Sequence, residues 1–220
     1  MTAADATDTA NATRSDATDM TRVQTVDVLV LGSGIAGLSY ALKAAAHGTV
    51  AIVTKKERAA SSTNYAQGGI AAVMAPEDES ALHVRDTLVA GAGLCHTSAV
   101  LDLVQEGPAR VRDLIDWGVR FTRNGADFSF GREGGHSRRR ILHAGDFTGK
   151  EIERALLQAV ADHPRIELYE DTVAIDLLVG SAESDGSGRC GGISATRRAR
   201  SNSSLMRRAS FTWTLRFFFF

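Results

Sequence analysis

The chain has 220 residues, 44% of them hydrophobic, with 25 basic and 26 acidic side chains for a net charge of −1, enough for one sizeable core or one domain with tails. The near-neutral charge argues against nucleic acid as a partner, and no apolar run is long enough for a signal peptide or membrane span, so no membrane partner and a cytoplasmic location are expected. Cys95 and Cys190 are too few for a disulfide framework and lack Cys-x-x-Cys spacing.

Residues 1–22 are mostly Thr, Ala and Asp and hold hardly any large apolar side chain. They cannot bury enough surface to offset ordering entropy, so a disordered leader is expected. Asp5, Asp8, Asp16 and Asp19 argue against an Arg-rich presequence. The next stretch is the most informative: residues 26–31 are an apolar strand running into Gly32, Gly34 and Gly37. A strand that ends in such a turn and opens a helix aims unpaired backbone N–H groups and the positive helix end at a pyrophosphate. Gly32 permits the sharp turn, Gly34 lets the backbone approach phosphates, and Gly37 lets the helix pack close to the strand. A helix-prone run over residues 38–46, a turn at Gly48 and a second strand over 50–54 complete a βαβ dinucleotide-binding unit. That second strand ends in Thr54, Lys55 and Lys56, and the nearest carboxylate is Glu57, so the acid that holds the ribose of NAD has no clear counterpart. The lysines suit either the 2′-phosphate of NADP or the adenosine half of FAD, with the Thr54 hydroxyl nearby; spacing leaves both open.

Residues 61–74 begin polar and turn apolar through Gly68 and Gly69, as a loop packed on a cofactor would before a short strand. Helices are expected over 80–90 and 98–106, and a further one from Pro108 through Trp117, with Val111, Leu114 and Ile115 on one stripe and Trp117 in the core. Another helix over 149–162 and strands over 166–170 and 173–179 follow. Arg138, Arg139 and Arg140 suit a solvated basic face, and His136 and His143 suit structural or solvated roles. His47, His83, His96 and His163 fall at helix ends or polar loops without metal-ligand spacing, so no metal is expected. From Ser194 to Phe220 six arginines and no carboxylate occur, ending in four phenylalanines. With no sustained helical or strand period, residues 194–220 are expected to be an aberrant, unstructured tail.

Three separated motifs in order carry a family resemblance over residues 26–193. With the fingerprint at Gly32, the run Ser61, Ser62, Thr63, Asn64, Tyr65, Ala66, Gln67, Gly68, Gly69, Ile70 resembles the flavin-contacting loop of the succinate dehydrogenase and fumarate reductase flavoproteins. Arg132-Glu133-Gly134-Gly135-His136-Ser137, followed by Arg139-Arg140-Ile141-Leu142-His143, is similar to the signature of the L-aspartate oxidases. The resemblance implies an α/β, Rossmann-like FAD-binding domain over residues 23–193. It also implies that this domain is incomplete, because the family continues through a second glycine motif, a capping domain and a helical region that hold the substrate clamps. An N-terminal piece that binds FAD weakly and turns over no substrate is therefore expected.

The same resemblance implies oxidation of L-aspartate to iminoaspartate on the route to quinolinate and NAD, with dioxygen or fumarate reoxidising the flavin and quinolinate synthase as a partner. Ser62 stands where the respiratory relatives attach flavin through a histidine, so the FAD would be non-covalent. Carried over by residue, Ser33, Gly34, Ile35 and Ala36, shaped by Gly32 and Gly37, meet the pyrophosphate. Lys55 meets the adenosine side, Ser62 to Gly69 the flavin, and Val173 and Ala174 the adenine end. Glu133 would meet the α-ammonium group of the substrate, which a plain dicarboxylate lacks; without the resemblance it is an ion-pair partner of Arg132 or Arg138. No catalytic residue is assigned. The alternatives are a non-catalytic FAD-binding module and an NADP-linked reductase resting on Lys55 and Lys56.

Overall fold

The computed structural model describes residues 22–179, 190–198 and 208–215. The elements in chain order begin with β1 (Arg22–Val26), β2 (Val28–Leu31), α1 (Ile35–Ala44) and β3 (Val50–Val53). A 3-10 turn (Thr63–Tyr65), β4 (Ile70–Ala71), α2 (Ser80–Ala90) and α3 (Thr97–Asp116) follow. Next are β5 (Arg123–Asn124), β6 (Asp127–Phe128), β7 (Phe130–Gly131), β8 (Ile141–Leu142) and α4 (Thr148–Ala161). Four strands come last, β9 (Ile166–Tyr169), β10 (Thr172–Val179), β11 (Cys190–Arg198) and β12 (Arg208–Leu215).

Strands β2, β3 and β9 form a parallel sheet in the order β2-β3-β9, with Val28 opposite Val50 and Val50 opposite Ile166. All four residues of β3 are buried, as expected of a parallel strand covered on both faces. The period of 2 along it separates two cores. Val50 and Ile52 face the larger one, with Leu38 and Ala41 of α1, Val111 and Leu114 of α3, and Ile152, Ala155, Leu156 and Val160 of α4. Ala51 and Val53 face a smaller one shared with Ile193 and Ala195 of β11. The result is three layers: helices, the parallel sheet, and a second sheet in the order β1-β12-β11-β10. The architecture is α/β and Rossmann-like, built on the expected βαβ unit.

Two expectations differ from the structure. The two helices divided at Pro108 are one 20-residue helix with Pro108 inside it. A proline here forfeits one backbone hydrogen bond, but Val100, Val104, Val111 and Leu114 form one buried stripe across it, and that packing holds the helix together. The folded part also does not stop at Ile193. Strand β11 runs on to Arg198, and β12 pairs antiparallel with it and parallel with β1. Ala209, Phe211, Trp213 and Leu215 alternate with Ser210, Thr212 and Thr214, a strand period hidden under the basic composition. Apart from Arg22, which opens β1, the expected leader lies outside the described residues, as do 199–207 and 216–220.

Candidate functional site

The carboxyl ends of β2 and β3 open onto a cleft of about 510 Å³, lined by Leu31 to Gly34, Val53 to Lys55, Ala60 to Thr63 and Thr172 to Ala174. That is the side of a parallel sheet on which ligands bind in open α/β folds. The turn between β2 and α1 owes its shape to two glycines. Gly32 has φ +108°, which side chains rarely adopt, and an added Cβ on Gly37 would lie 2.2 Å from the Gly32 carbonyl oxygen. The amides of Ser33, Gly34 and Ala36 have no intramolecular hydrogen bond among the described residues. The amide of Ile35 donates to Thr63 Oγ1 at 3.0 Å, which pins the loop after β3 to the start of α1. Unpaired N–H groups at a positive helix end, facing open space, fit the pyrophosphate of a dinucleotide.

Of the residues expected to touch the cofactor, Gly32, Ser33, Gly34, Lys55, Ser62, Thr63, Val173 and Ala174 line the cleft. The others stand differently. Gly37 packs behind the turn, and Ile35 lines a separate apolar groove. The Ser33 hydroxyl is spent internally, donating to the Arg58 carbonyl at 2.8 Å and accepting from the Thr54 hydroxyl at 3.1 Å, so only its amide is left for a ligand. Asn64 to Gly68 run onward from the cleft with Tyr65 73% exposed, and Gly69 presses against Ile141 and Leu142. Lys56 does not line the cleft. Leu31, Val53, Ala60 and Thr172 also line the cleft and had no assigned role from sequence, and Ser61, within the run that resembles the flavin loop, had no contact assigned to it.

A second polar region lies under the loop between β7 and β8. Arg140 is fully buried, not on a solvated face. Its Nε and Nη2 each donate to Asp78 at 2.8 Å, and Nη1 donates to Asp86 Oδ2 at 2.6 Å. Asp86 also accepts from the Ser137 amide and hydroxyl, both at 2.8 Å. Burial works against the Asp86 charge, but the Ser137 and Arg140 donors bring its carboxyl down to about 2. Burial likewise opposes the Asp78 charge, but the Arg140 pairing and the Glu79 amide together outweigh it, so that carboxyl also falls. His83 lies in the first turn of α2 and is buried, with its ring 5.7 Å from that of His136. Burial lowers its basicity, reinforced by the Arg140 charge. A signal for this cluster exists in the sequence: His83 and Asp86, three apart, share one face of α2.

The cluster anchors the loop that carries Glu133. Glu133 itself is exposed and outside the cleft lining, and its carboxylate pairs with neither Arg132 nor Arg138. Arg132 instead donates to the His136 carbonyl at 3.0 Å. His143 is half-buried and also outside the cleft lining. Among the described residues no group of His, Cys, Asp and Glu has metal-site geometry, and no helix is long and apolar enough to cross a membrane.

A parallel βαβ unit whose glycine turn faces such a cleft defines a dinucleotide-binding domain. The chain matches the FAD binding domain family over residues 27–211 and belongs to it. It is 54% identical over 161 residues to L-aspartate oxidase 2-b, chloroplastic, of Nicotiana tabacum, covering 72% of this chain and 25% of that protein. It is 46% identical over 160 residues to the L-aspartate oxidase of Yersinia pestis, covering 70% and 30%. The chain thus spans a quarter to a third of these relatives. Among solved structures it resembles the Mycobacterium smegmatis Sdh1 complex with UQ1 (TM-score 0.75, 28% identity, 88% of this chain, 33% of that one). It also resembles the FrdA chain of E. coli quinol fumarate reductase (TM-score 0.74, 27% identity, 88% and 32%). FAD is the cofactor to which this fold belongs.

Proposed function

We propose that this chain is the FAD-binding part of an L-aspartate oxidase. In that role it holds FAD non-covalently in the cleft between the glycine turn and the 61–63 loop, for oxidation of L-aspartate to iminoaspartate. The observation that carries the reading is the pair of unpaired amides at Ser33 and Gly34, residues that line an open cleft, in a chain about half identical to L-aspartate oxidases. When bound, the flavin supplies an acceptor for the two electrons that leave the substrate as its Cα–N bond becomes an imine.

The chain's own residues bind and orient. The helix end and its amides take the pyrophosphate, Lys55 supplies positive charge at the adenosine side, and Val173 and Ala174 close the opposite wall. Ser62 has no ring nitrogen through which a flavin could be attached. Glu133 meets the substrate's ammonium group, its loop held by the Arg140 cluster. Dioxygen or fumarate receives the electrons, and the product feeds quinolinate synthase.

Reconstitution with FAD followed by gel filtration tests the cofactor assignment. Visible flavin absorbance should travel with the chain and leave it on acid precipitation, and NADP should not compete. A colourless chain, or colour that stays with the precipitate, overturns it. In an oxidase of the relatives' length carrying this segment, Glu133→Gln should raise the aspartate KM at least tenfold, the loss of about one charge-assisted contact. Unchanged preference for aspartate over succinate would remove Glu133 from the site.

A further inference from the structure

Glu153 is 1% exposed, and neither of its carboxyl oxygens has a hydrogen-bond partner. A buried carboxyl left this way is costly unless it serves something. Its place in the fold says what that is. Gly149, one turn earlier on the same face of α4, is pressed against the loop: an added Cβ would lie 1.9 Å from the Thr63 carbonyl oxygen, and its amide donates to the Ala66 carbonyl at 3.0 Å. Glu153 therefore faces the back of the 61–66 loop. The Ser61 hydroxyl is the one polar group there whose influence on the carboxyl opposes burial, with no hydrogen bond formed between them in the free chain, and Ser61 also lines the cleft.

We propose that Glu153, acting through the Ser61 hydroxyl, couples occupation of the dinucleotide cleft to uptake of one proton from solvent. The proposal rests on the FAD assignment above. Ser61 Oγ accepts from the Asn64 amide at 3.3 Å, which leaves it one lone pair and one O–H. When Glu153 is ionised, Ser61 donates its proton backward to the carboxylate and turns a lone pair toward the cleft. When Glu153 is protonated, the acid donates to Ser61, whose own O–H is then free to turn to an anion in the cleft. A pyrophosphate favours the second arrangement twice over, since it needs donors and repels a carboxylate behind them. The step is balanced: the carboxylate and one solvent proton give the neutral acid.

The surroundings suit this titration. Burial pushes the Glu153 carboxyl up to about 7, with Ser61 alone pulling the other way. The charged groups on neighbouring elements are engaged elsewhere. Lys43 of α1 pairs with Asp113, Glu151 and Arg154 of α4 pair with each other, and Glu167 of β9 accepts from the Tyr169 hydroxyl. Lys150 of α4 is exposed, and Tyr65, in the 3-10 turn against α4, points to solvent.

The test titrates the intact 220-residue chain with FAD by calorimetry in buffers of different protonation enthalpy. Flavin fluorescence gives affinity between about pH 6 and about pH 8.5. Above about pH 7 the wild-type chain should take up close to one proton per FAD, and affinity should fall toward tenfold per pH unit. Glu153→Gln should bind FAD without proton uptake and with flat affinity, and Ser61→Ala should lose most of the slope. Circular dichroism checks that both fold; if the Glu153 variant does not, wild-type uptake and the Ser61 variant decide. Binding that is pH-independent in the wild type, or a slope unchanged in either variant, overturns the coupling and leaves the FAD cleft standing. No FAD binding at any pH overturns the proposed function and the coupling with it. A 13C-glutamate NMR titration of the free chain needs no FAD: a Glu153 carboxyl titrating in the ordinary carboxylate range overturns the proposal by itself.

Discussion

Between Leu31 and Ala36 the chain leaves backbone amides without partners and sets open space in front of them, whereas around Arg140 the buried carboxylate of Asp78 and the half-buried one of Asp86 are each matched by guanidinium donors. The first region is prepared for a charge that comes from outside; the second has consumed its charges internally. Cleft and scaffold are therefore separable by mutation. Changes in the Arg140 cluster should register in the stability of the free chain, and changes at the turn should register in ligand affinity.

The largest effect should come from Arg140→Ala. It strands two carboxylates that lie at 0% and 13% side-chain exposure, and an uncompensated buried charge of this kind costs about 3–5 kcal/mol. Urea unfolding of the free chain reads it. Arg140→Lys should recover part of the loss but not all, because one ammonium cannot reproduce three directed contacts to two acids. A variant as stable as the wild type would mean the cluster holds nothing. Next is Gly37→Ala. With a Cβ 2.2 Å from the Gly32 carbonyl oxygen, either the turn or α1 must move, at a cost of up to about 3 kcal/mol. Because the displaced atoms form the cradle, FAD affinity should fall with stability. A loss of stability with affinity intact would place the pyrophosphate elsewhere.

The two regions should also differ in the sign of their pH dependence. The Asp86 carboxyl sits at about 2, against 3.8 in an unfolded chain. Its contribution is thus present above about pH 4 and is lost as pH falls through about 2, about 2 kcal/mol in all. Asp86→Asn should remove that acid-side loss. Glu153 runs the other way. Its folded value is raised to about 7 from 4.5, so its favourable contribution is complete below about pH 4.5 and is lost as pH rises to about 7. Glu153→Gln should flatten the neutral side of the stability profile and leave the acid side alone. Melting temperatures across pH for the two variants test the pair. The same slope in both, or a neutral-side slope that survives Glu153→Gln, would show that the regions are not electrostatically distinct.

The contrast also explains what the sequence reveals. The glycine turn is a local device: strand, turn and helix are contiguous, so spacing alone places Gly32, Gly34 and Gly37. The Arg140 cluster is assembled across 62 and 54 residues of chain. Within its own segment Arg140 is one of three consecutive arginines, and a basic run of that kind ordinarily lies on a solvated face. Pro108 misleads for a related reason, since the stripe that overrides it exists only once α3 packs on the core. In β12 the alternation was present locally but masked by arginines and the phenylalanine run that follows. Glu133 likewise carries no local signal: its carboxylate pairs with no described residue, its carbonyl accepts from the His136 amide at 3.3 Å, and the partner proposed for the side chain is a substrate.

The finest discrimination comes from Gly34→Ala. Gly34 has φ −78° and ψ 177°, a conformation open to any residue, and an added Cβ would meet only Thr63 Oγ1, at an ordinary 3.5 Å. Nothing within the chain demands glycine here. Alanine restricts the unfolded chain and is a poorer helix cap than glycine, opposing effects that leave stability within about 1 kcal/mol of wild type. A ligand that approaches the backbone at van der Waals distance would demand it, because the methyl group would stand between the amides and the phosphates. FAD affinity should therefore fall at least tenfold, about 1.4 kcal/mol, while the thermal melt of the free chain barely moves. Equal losses in both measurements would make Gly34 part of the scaffold. An unchanged affinity would mean that the amides at Ser33, Gly34 and Ala36 face water in the holoprotein.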